Sequence, residues 1–430
     1  MNKLPLEGIR LLDFTVVWAG PFAAMLLADY GAEVIRVESL QFFPSVTRGV
    51  MARPDKAMVS AMPGYAGAYP DRDPGPRPWN RHPMFNPHAR NKLGMTVDLS
   101  RPKGRELFRK LVSVSDVLIE NHSARFMENL GLTYDVLSQS KPDLIMVSMP
   151  AFGMSGPYKY YQGFGINVES VCGLTWLRAY RDTDLTETSS TLHMDAVRGA
   201  GAAFAIMAAL HYRRQTGQGQ FIDFAQAENL MQSIGETLMD YTMNGRIQTS
   251  LGNRHPFMAP HGCYPCQGRD RWVVIAIAND TEWGSFCQAL GNPAWAADAR
   301  FADATSRYQH QEAMDAHIAA WTQQHHPWEV MERLQQAGIA AGPVMRELDL
   351  FSDAHLHARG FFRVVTQAEA GTYPYPGGMW TMSKTPTTFR HPPVRMGEHN
   401  DYVYRQLLKL SDEEIETLTA EGHIGMDFLG

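Results

Sequence analysis

The order of elements in the first 38 residues constrains this chain most: a strand, a helix and a second strand follow one another closely. Ile9-Arg10-Leu11-Leu12-Asp13-Phe14 is a short, largely apolar strand, and Ala19-Gly20-Pro21 breaks it. Phe22 to Tyr30 then carries apolar residues at helical spacing, with Gly31 as the stop. Ala32 to Glu38 is the second strand. A helix between two strands carries the chain back to where it started, so the strands pair in parallel. The pattern recurs, with a helix at 104–114 and strands at 116–120 and 143–148. The first 200 residues therefore read as a doubly wound, Rossmann-like α/β domain.

A chain of 430 residues exceeds what one core usually organises, so a second domain is expected. After a polar turn at 212–220 come a strand, Phe221 to Phe224, and a helix, Glu228 to Met243. Residues 251–340 hold the strand Trp272 to Ile277, with helices around Glu282 to Leu290 and Glu312 to Ala337, and read as a smaller α+β domain. The tail, rich in glycine and proline, ends in a helix from Asp412 to Ala420 and is free to pack back on the first domain. The stretch from Phe42 to Asn86 is proline-rich and aperiodic; a loop that long either covers a site or is a plain surface excursion.

Composition removes several function classes. A net charge of −6 and a pI near 6.2 oppose nucleic-acid binding. No segment reaches the roughly 18 consecutive apolar residues of a membrane span. The N-terminal residues lack the apolar core of a secretion signal, so a cytoplasmic protein is expected. Of the four cysteines, Cys263 and Cys266 form a C-x-x-C pair with His261 nearby. No second pair accompanies it, so reduced structural thiols and no metal site are expected. The phosphate-loop, dinucleotide and nucleophile-elbow signatures are missing from the sequence.

Asp195, in His193-Met194-Asp195-Ala196-Val197-Arg198-Gly199, stands ahead of the nearly chargeless run from Ala200 to Leu210. That run reads as a buried helix. An acid at its mouth is either the helix cap or a carboxylate displayed in a cleft.

Five ordered blocks carry a resemblance. They are Leu12 to Glu38; Asn91-Lys92 with Thr96-Val97-Asp98-Leu99; Glu120-Asn121 with Leu130-Gly131-Leu132; Gly153 to Tyr158; and Asp195 to Gly199 followed by Arg214 to Gln220. On these the chain resembles a family III CoA-transferase, the superfamily of formyl-CoA transferase, carnitine CoA-transferase and alpha-methylacyl-CoA racemase. The resemblance runs from Leu6 to about Gly425.

It implies an interlocked-ring homodimer. Each chain would pair a large Rossmann-like CoA-binding domain (1–215 and 345–430) with a small α+β domain (251–340), through a linker helix at 216–250. It implies that Asp195 is the nucleophile, forming an aspartyl-CoA thioester while CoA passes from an acyl-CoA to a free carboxylic acid. A free aspartate, with a pKa of about 3.9, is already ionised at neutral pH and needs no neighbouring base. Glu169 is a carboxylate near the expected site that either assists the substrate or is solvated. By family position, Arg36, Arg48, Lys92 and Arg125 are candidate cations for the CoA phosphates. Asn91 and Asn121 join them as cofactor-binding candidates, and backbone N–H groups at Trp18 and Ala19 are candidate oxyanion donors. No cofactor is permanently bound, and the acyl-CoA thioester is a substrate. Two departures stand out: Asn129 replaces an arginine of some relatives, and no glycine run follows Arg254.

Racemisation is the rival activity and needs two opposed bases. In the matching segment Gly163-Phe164-Gly165-Ile166-Asn167, phenylalanine stands where the racemase carries a base. A third reading is one subunit of a hetero-oligomeric transferase. Phe164, Trp176 and Tyr180 permit a bulky or aryl acid, and apolar packing explains them equally well.

Overall fold

The computed structural model describes residues 3–180, 182–189 and 194–429. His193, which opens the Asp195 segment, lies outside the described residues. The chain divides into two compact units: Met1–Cys172, Ser190–Gly235 and Gly360–Gly430 form the larger, and Gly173–Ser189 and Glu236–Arg359 the smaller.

The larger unit is built on a parallel six-stranded sheet of order β3-β2-β1-β4-β5-β6. Its strands are β1 (Arg10–Phe14), β2 (Glu33–Glu38), β3 (Lys92–Thr96), β4 (Val117–Glu120), β5 (Ile145–Ser148) and β6 (Gln220–Asp223). Strand alternation sends Leu11, Val34 and Ile119 into one core and Leu12, Ile35 and Leu118 into the other, so both faces are covered, as a parallel sheet requires. The helices up to the site are α1 (Ala19–Asp29), α2 (Lys56–Ala61), α3 (Pro102–Ser113), α4 (Ala124–Leu130), α5 (Tyr134–Leu137) and α6 (Gly165–Val171). After α7 (Leu174–Arg178) of the smaller unit, the long α8 (Met194–Thr216) returns to the larger one. The strand order reverses between β1 and β4, and ligands of such sheets bind beyond the strand ends at that reversal.

Two details depart from the sequence reading. Residues 220–223 add the sheet's sixth strand where the sequence placed a strand at Phe221 to Phe224, and so interrupt the 216–250 stretch expected as a linker helix. The α8 run is buried along one stripe only, through Gly199, Ala202, Ala203, Ile206 and Ala209. Its other face leaves Phe204 76% exposed, so the expectation of a helix buried all round is corrected.

The smaller unit carries an antiparallel sheet of β7 (His261–Pro265), β8 (Trp272–Ala276) and β9 (Ala340–Pro343), covered by helices. Helical structure between 311 and 336 breaks before Pro327, which is the first residue of a new helix. Cys263 and Cys266 are free thiols there. The tail forms the hairpin β10 (Phe362–Gln367) and β11 (Gly371–Pro376) and rejoins the larger unit. Among the described residues, no helix is long and apolar enough to cross a membrane.

Candidate active site

The turn after β1 is the first part of the site. Val17 sits there at φ +62°, a conformation that costs a β-branched residue strain and persists only when its surroundings fix it. Three contacts do so. The Val16 N–H donates to Asn121 Oδ1 at 2.7 Å, Asn121 Nδ2 donates back to the Val16 carbonyl at 2.8 Å, and the Val17 N–H donates to Thr47 Oγ1 at 2.7 Å. Asn121, just past β4, thus joins the two strands that flank the reversal. Trp18 and Ala19 follow, and α1 opens at Ala19 with no side-chain cap on its first N–H groups.

Beneath this turn lies a buried charge network. Asp13 accepts from Lys92 Nζ at 2.7 Å, Arg36 Nη1 at 3.3 Å and the Thr15 hydroxyl. Burial alone would raise the Asp13 carboxyl; Lys92 and Arg36 outweigh it and hold it below the ordinary value. Burial likewise brings Lys92 down to about 8, against the pull of Asp13. Arg48 grips both Glu38 oxygens at 2.6 Å and lies over the Phe85 ring. Asn91 bonds Asp29 and the backbone at 388, 390 and 391. Arg36, Arg48, Asn91 and Lys92 therefore spend their polar groups inside the protein, and a phosphate reaching them would have to displace a buried carboxylate. Arg125 is exposed on α4, its guanidinium 4.3 Å from the Tyr160 ring centre.

The second part is the start of α8. The helix begins at Met194, so Asp195 lies inside its first turn rather than at the cap position. Gly199 lets α8 press against α1: a Cβ there would come within 2.6 Å of the Ala19 carbonyl oxygen. This close approach brings Asp195 beside the Val17–Ala19 turn. Asp195 is 8% exposed and accepts from Arg198 Nη1 at 2.7 Å. Arg198 is fully buried, and its Nε and Nη2 have no hydrogen-bond partner among the described residues. Burial pushes the Asp195 carboxyl above the ordinary value, Arg198 pulls it back, and the Glu169 carboxylate pushes it further up. The fold thus brings Glu169, buried on α6, within electrostatic reach of Asp195. Arg198 was not singled out in the sequence, although its i,i+3 spacing from an acid at a helix start was a readable signal.

Two cavities meet at Asp195, sharing Val17, Phe164 and Gly165. One, of about 430 Å³, is walled by Trp18, Tyr65, Met84, His88, Phe164 and Ile166. Tyr65 and Met84 come from the aperiodic 42–86 segment and His88 from just beyond it; the segment folds into short helical turns around the buried Trp79 and so forms a wall of the site. Burial, helped by Lys92 and Arg90, drives His88 down to about 3, so its ring is neutral. The other cavity, of about 420 Å³, is more polar, with Asn121, Ser123, Gln162 and Gln226. It shares Val16, Phe42, His122 and Ser123 with a third, of about 450 Å³, which reaches Arg36, Ser100 and Leu130. Phe164 lines the Asp195 cavities; Trp176 and Tyr180 belong to the smaller unit, where Trp176 Nε1 bonds the Gln248 carbonyl and Tyr180 borders a separate cavity.

Comparison with known proteins gives the same picture. The profile of CoA-transferase family III matches residues 6–400. The chain is 30% identical over 426 residues to succinyl-CoA–D-citramalate CoA-transferase of Chloroflexus aurantiacus, covering 97% of each protein. It is 31% identical over 430 residues to the beta subunit of succinyl-CoA–L-malate CoA-transferase from the same organism, covering 98% of each. Among solved structures, a CAIB/BAIF family protein from Brucella suis superposes with a TM-score of 0.78 at 26% identity, over 94% of this chain and all of the other.

Proposed function

The chain belongs to CoA-transferase family III, an enzyme class, and we propose that it transfers CoA from an acyl-CoA thioester to a carboxylic acid through a thioester on Asp195. The observation that carries this reading is the placement of one ionisable carboxylate at the junction of two cavities, paired to a buried arginine.

The Asp195 carboxylate attacks the thioester carbonyl and expels CoA thiolate, leaving a mixed anhydride. The thiolate attacks the aspartyl carbonyl and releases the donor acid as its carboxylate, so that Asp195 holds CoA as a thioester. The acceptor carboxylate then attacks that thioester, and the thiolate leaves and returns to the acceptor's acyl carbon. Acceptor-CoA departs and Asp195 is regenerated. Overall one thioester is exchanged for another of similar energy, so no nucleotide is consumed. Raised basicity, from burial and from Glu169, makes Asp195 a stronger nucleophile than a free aspartate, and Arg198 opposes that rise. The uncapped N–H groups at the start of α1 support an oxyanion role for the Trp18–Ala19 turn.

The polar cavity and its outer neighbour form the route for the pantetheine arm, with exposed Arg125 available to the phosphates near its outer end. Arg36 and Lys92 act as the scaffold under the turn, Asn121 and Thr47 hold it, and Arg48 and Asn91 brace Glu38 and Asp29. Exposed apolar side chains support assembly into an interlocked dimer: Phe204, Met243 and Ile247 are each more than 70% exposed. A sister subunit in place of a second copy is the alternative, since the malate-specific relatives are named as alpha and beta subunits.

Asp195→Ala tests the reading. Exchange of CoA between a thioester and a free acid, followed by chromatography, is expected to fall by at least about 10⁴-fold. Retention of wild-type turnover by the folded variant would refute it.

A further inference from the structure

The apolar cavity at Asp195 says what kind of acid is exchanged. Among the described residues that line it there is no lysine or arginine, and Asp195 is the sole carboxylate. Its one histidine, His88, is held neutral under Trp18 and Phe22. Three wall side chains, Tyr65, Phe164 and Ile166, remain 62%, 64% and 51% exposed, so their apolar faces are open to a guest. Their rings, with Trp18, offer flat surfaces suited to stacking. A cavity of about 150 Å³ with apolar walls already admits a benzene ring, so one of about 430 Å³ holds an aryl group together with the carbons that join it to the reacting carboxyl.

The two relatives compared above are named for succinyl-CoA with D-citramalate or L-malate, all with a second carboxylate. Such a group in this cavity would face aromatic rings and Asp195 itself, with no lysine or arginine among the described lining residues to pair with, which is strongly unfavourable. The polar side chains near Asp195 lie on the other side, in the cavity assigned to pantetheine. From this division we infer that the acid exchanged on Asp195 is a monocarboxylic acid with an apolar, aryl-sized body, and that the Trp18–Tyr65–Phe164–Ile166 cavity is its specificity pocket.

This inference rests on the transferase reading, and one assay separates the two. Self-exchange needs no knowledge of the second substrate: the full-length protein is given 3-phenylpropionyl-CoA with isotopically labelled 3-phenylpropionate, or succinyl-CoA with labelled succinate. Entry of label into each thioester is followed by mass spectrometry. The expected result is a kcat/KM for the phenylpropionyl pair at least ~100-fold above that for the succinyl pair, the scale on which an unpaired buried polar group is rejected. Comparable rates, or faster succinyl exchange, overturn the substrate class and leave the transferase reading standing. No exchange with either pair overturns both.

A second arm places a cation in the cavity. Ile166→Arg is expected to narrow the preference at least ~10-fold in favour of succinate, with Met84→Arg as the substitute should the first variant not fold. An unchanged preference in a folded variant means that this cavity does not hold the acid, and overturns the assignment.

Discussion

Asp195 and Arg198 form a pair whose two halves do different work. In the proposed mechanism the carboxylate reacts; the guanidinium, which lines neither of the two Asp195 cavities, sets how readily the carboxylate holds a proton. Asp195 must be ionised to attack, and its pKa is raised, so kcat/KM falls as pH drops through a value above that of an ordinary aspartate. Removing the nearby positive charge makes protonation easier still. Arg198→Met is therefore expected to move the acid limb of the kcat/KM profile upward, read from initial rates across pH. An unmoved limb, or one displaced downward, would show that Arg198 does not act on Asp195. Asp195 stood out in the sequence because a lone acid heads an apolar helix and matches a family block. The Arg36, Arg48, Asn91 and Lys92 positions were legible too, but their internal partners were not. Sequence shows a cation without showing the Asp13 or Glu38 carboxylate beside it, and an amide without showing Asp29.

At the scale of elements, the site depends on how closely α8 lies on α1. Gly199→Ala would add helix propensity worth about 1 kcal/mol, yet its Cβ meets the Ala19 carbonyl, a backbone atom that cannot swing aside. Overpacking of this sort costs about 1–3 kcal/mol, so the clash wins. The expected outcome is a lower denaturation midpoint and, because a shift of about 1 Å at a reacting group costs on the order of 10²-fold, a comparable loss of turnover. A variant with unchanged stability and rate would remove the contact from the account. The strands β1, β2, β4 and β5 were readable as apolar runs because a parallel sheet is buried on both faces. Strand β3 was not: Lys92 and Gly94 interrupt its pattern. Both make sense only in the fold, where Lys92 reaches Asp13 and a Cβ on Gly94 would strike the tail backbone at Arg395. For residues 42–86 the sequence left open whether the loop covers a site, since its packing around Trp79 uses no periodic element.

Over the whole molecule, the exposed apolar side chains call for a partner surface. A dimer is expected by sedimentation at micromolar concentration, and Phe204→Glu, on the open face of α8, is expected to weaken it. A wild-type chain that sediments as a monomer would contradict the assembly, and with it the interlocked arrangement. The covalent intermediate is the claim on which the rest depends, and the mass of the intact protein tests it most directly. After exposure to an acyl-CoA that it exchanges, the wild-type protein is expected to gain the mass of CoA on Asp195. Hydroxylamine should remove that mass, and Asp195→Ala should never acquire it. Exchange that proceeds at full rate with no CoA adduct on any aspartate, after rapid quenching, would contradict the account.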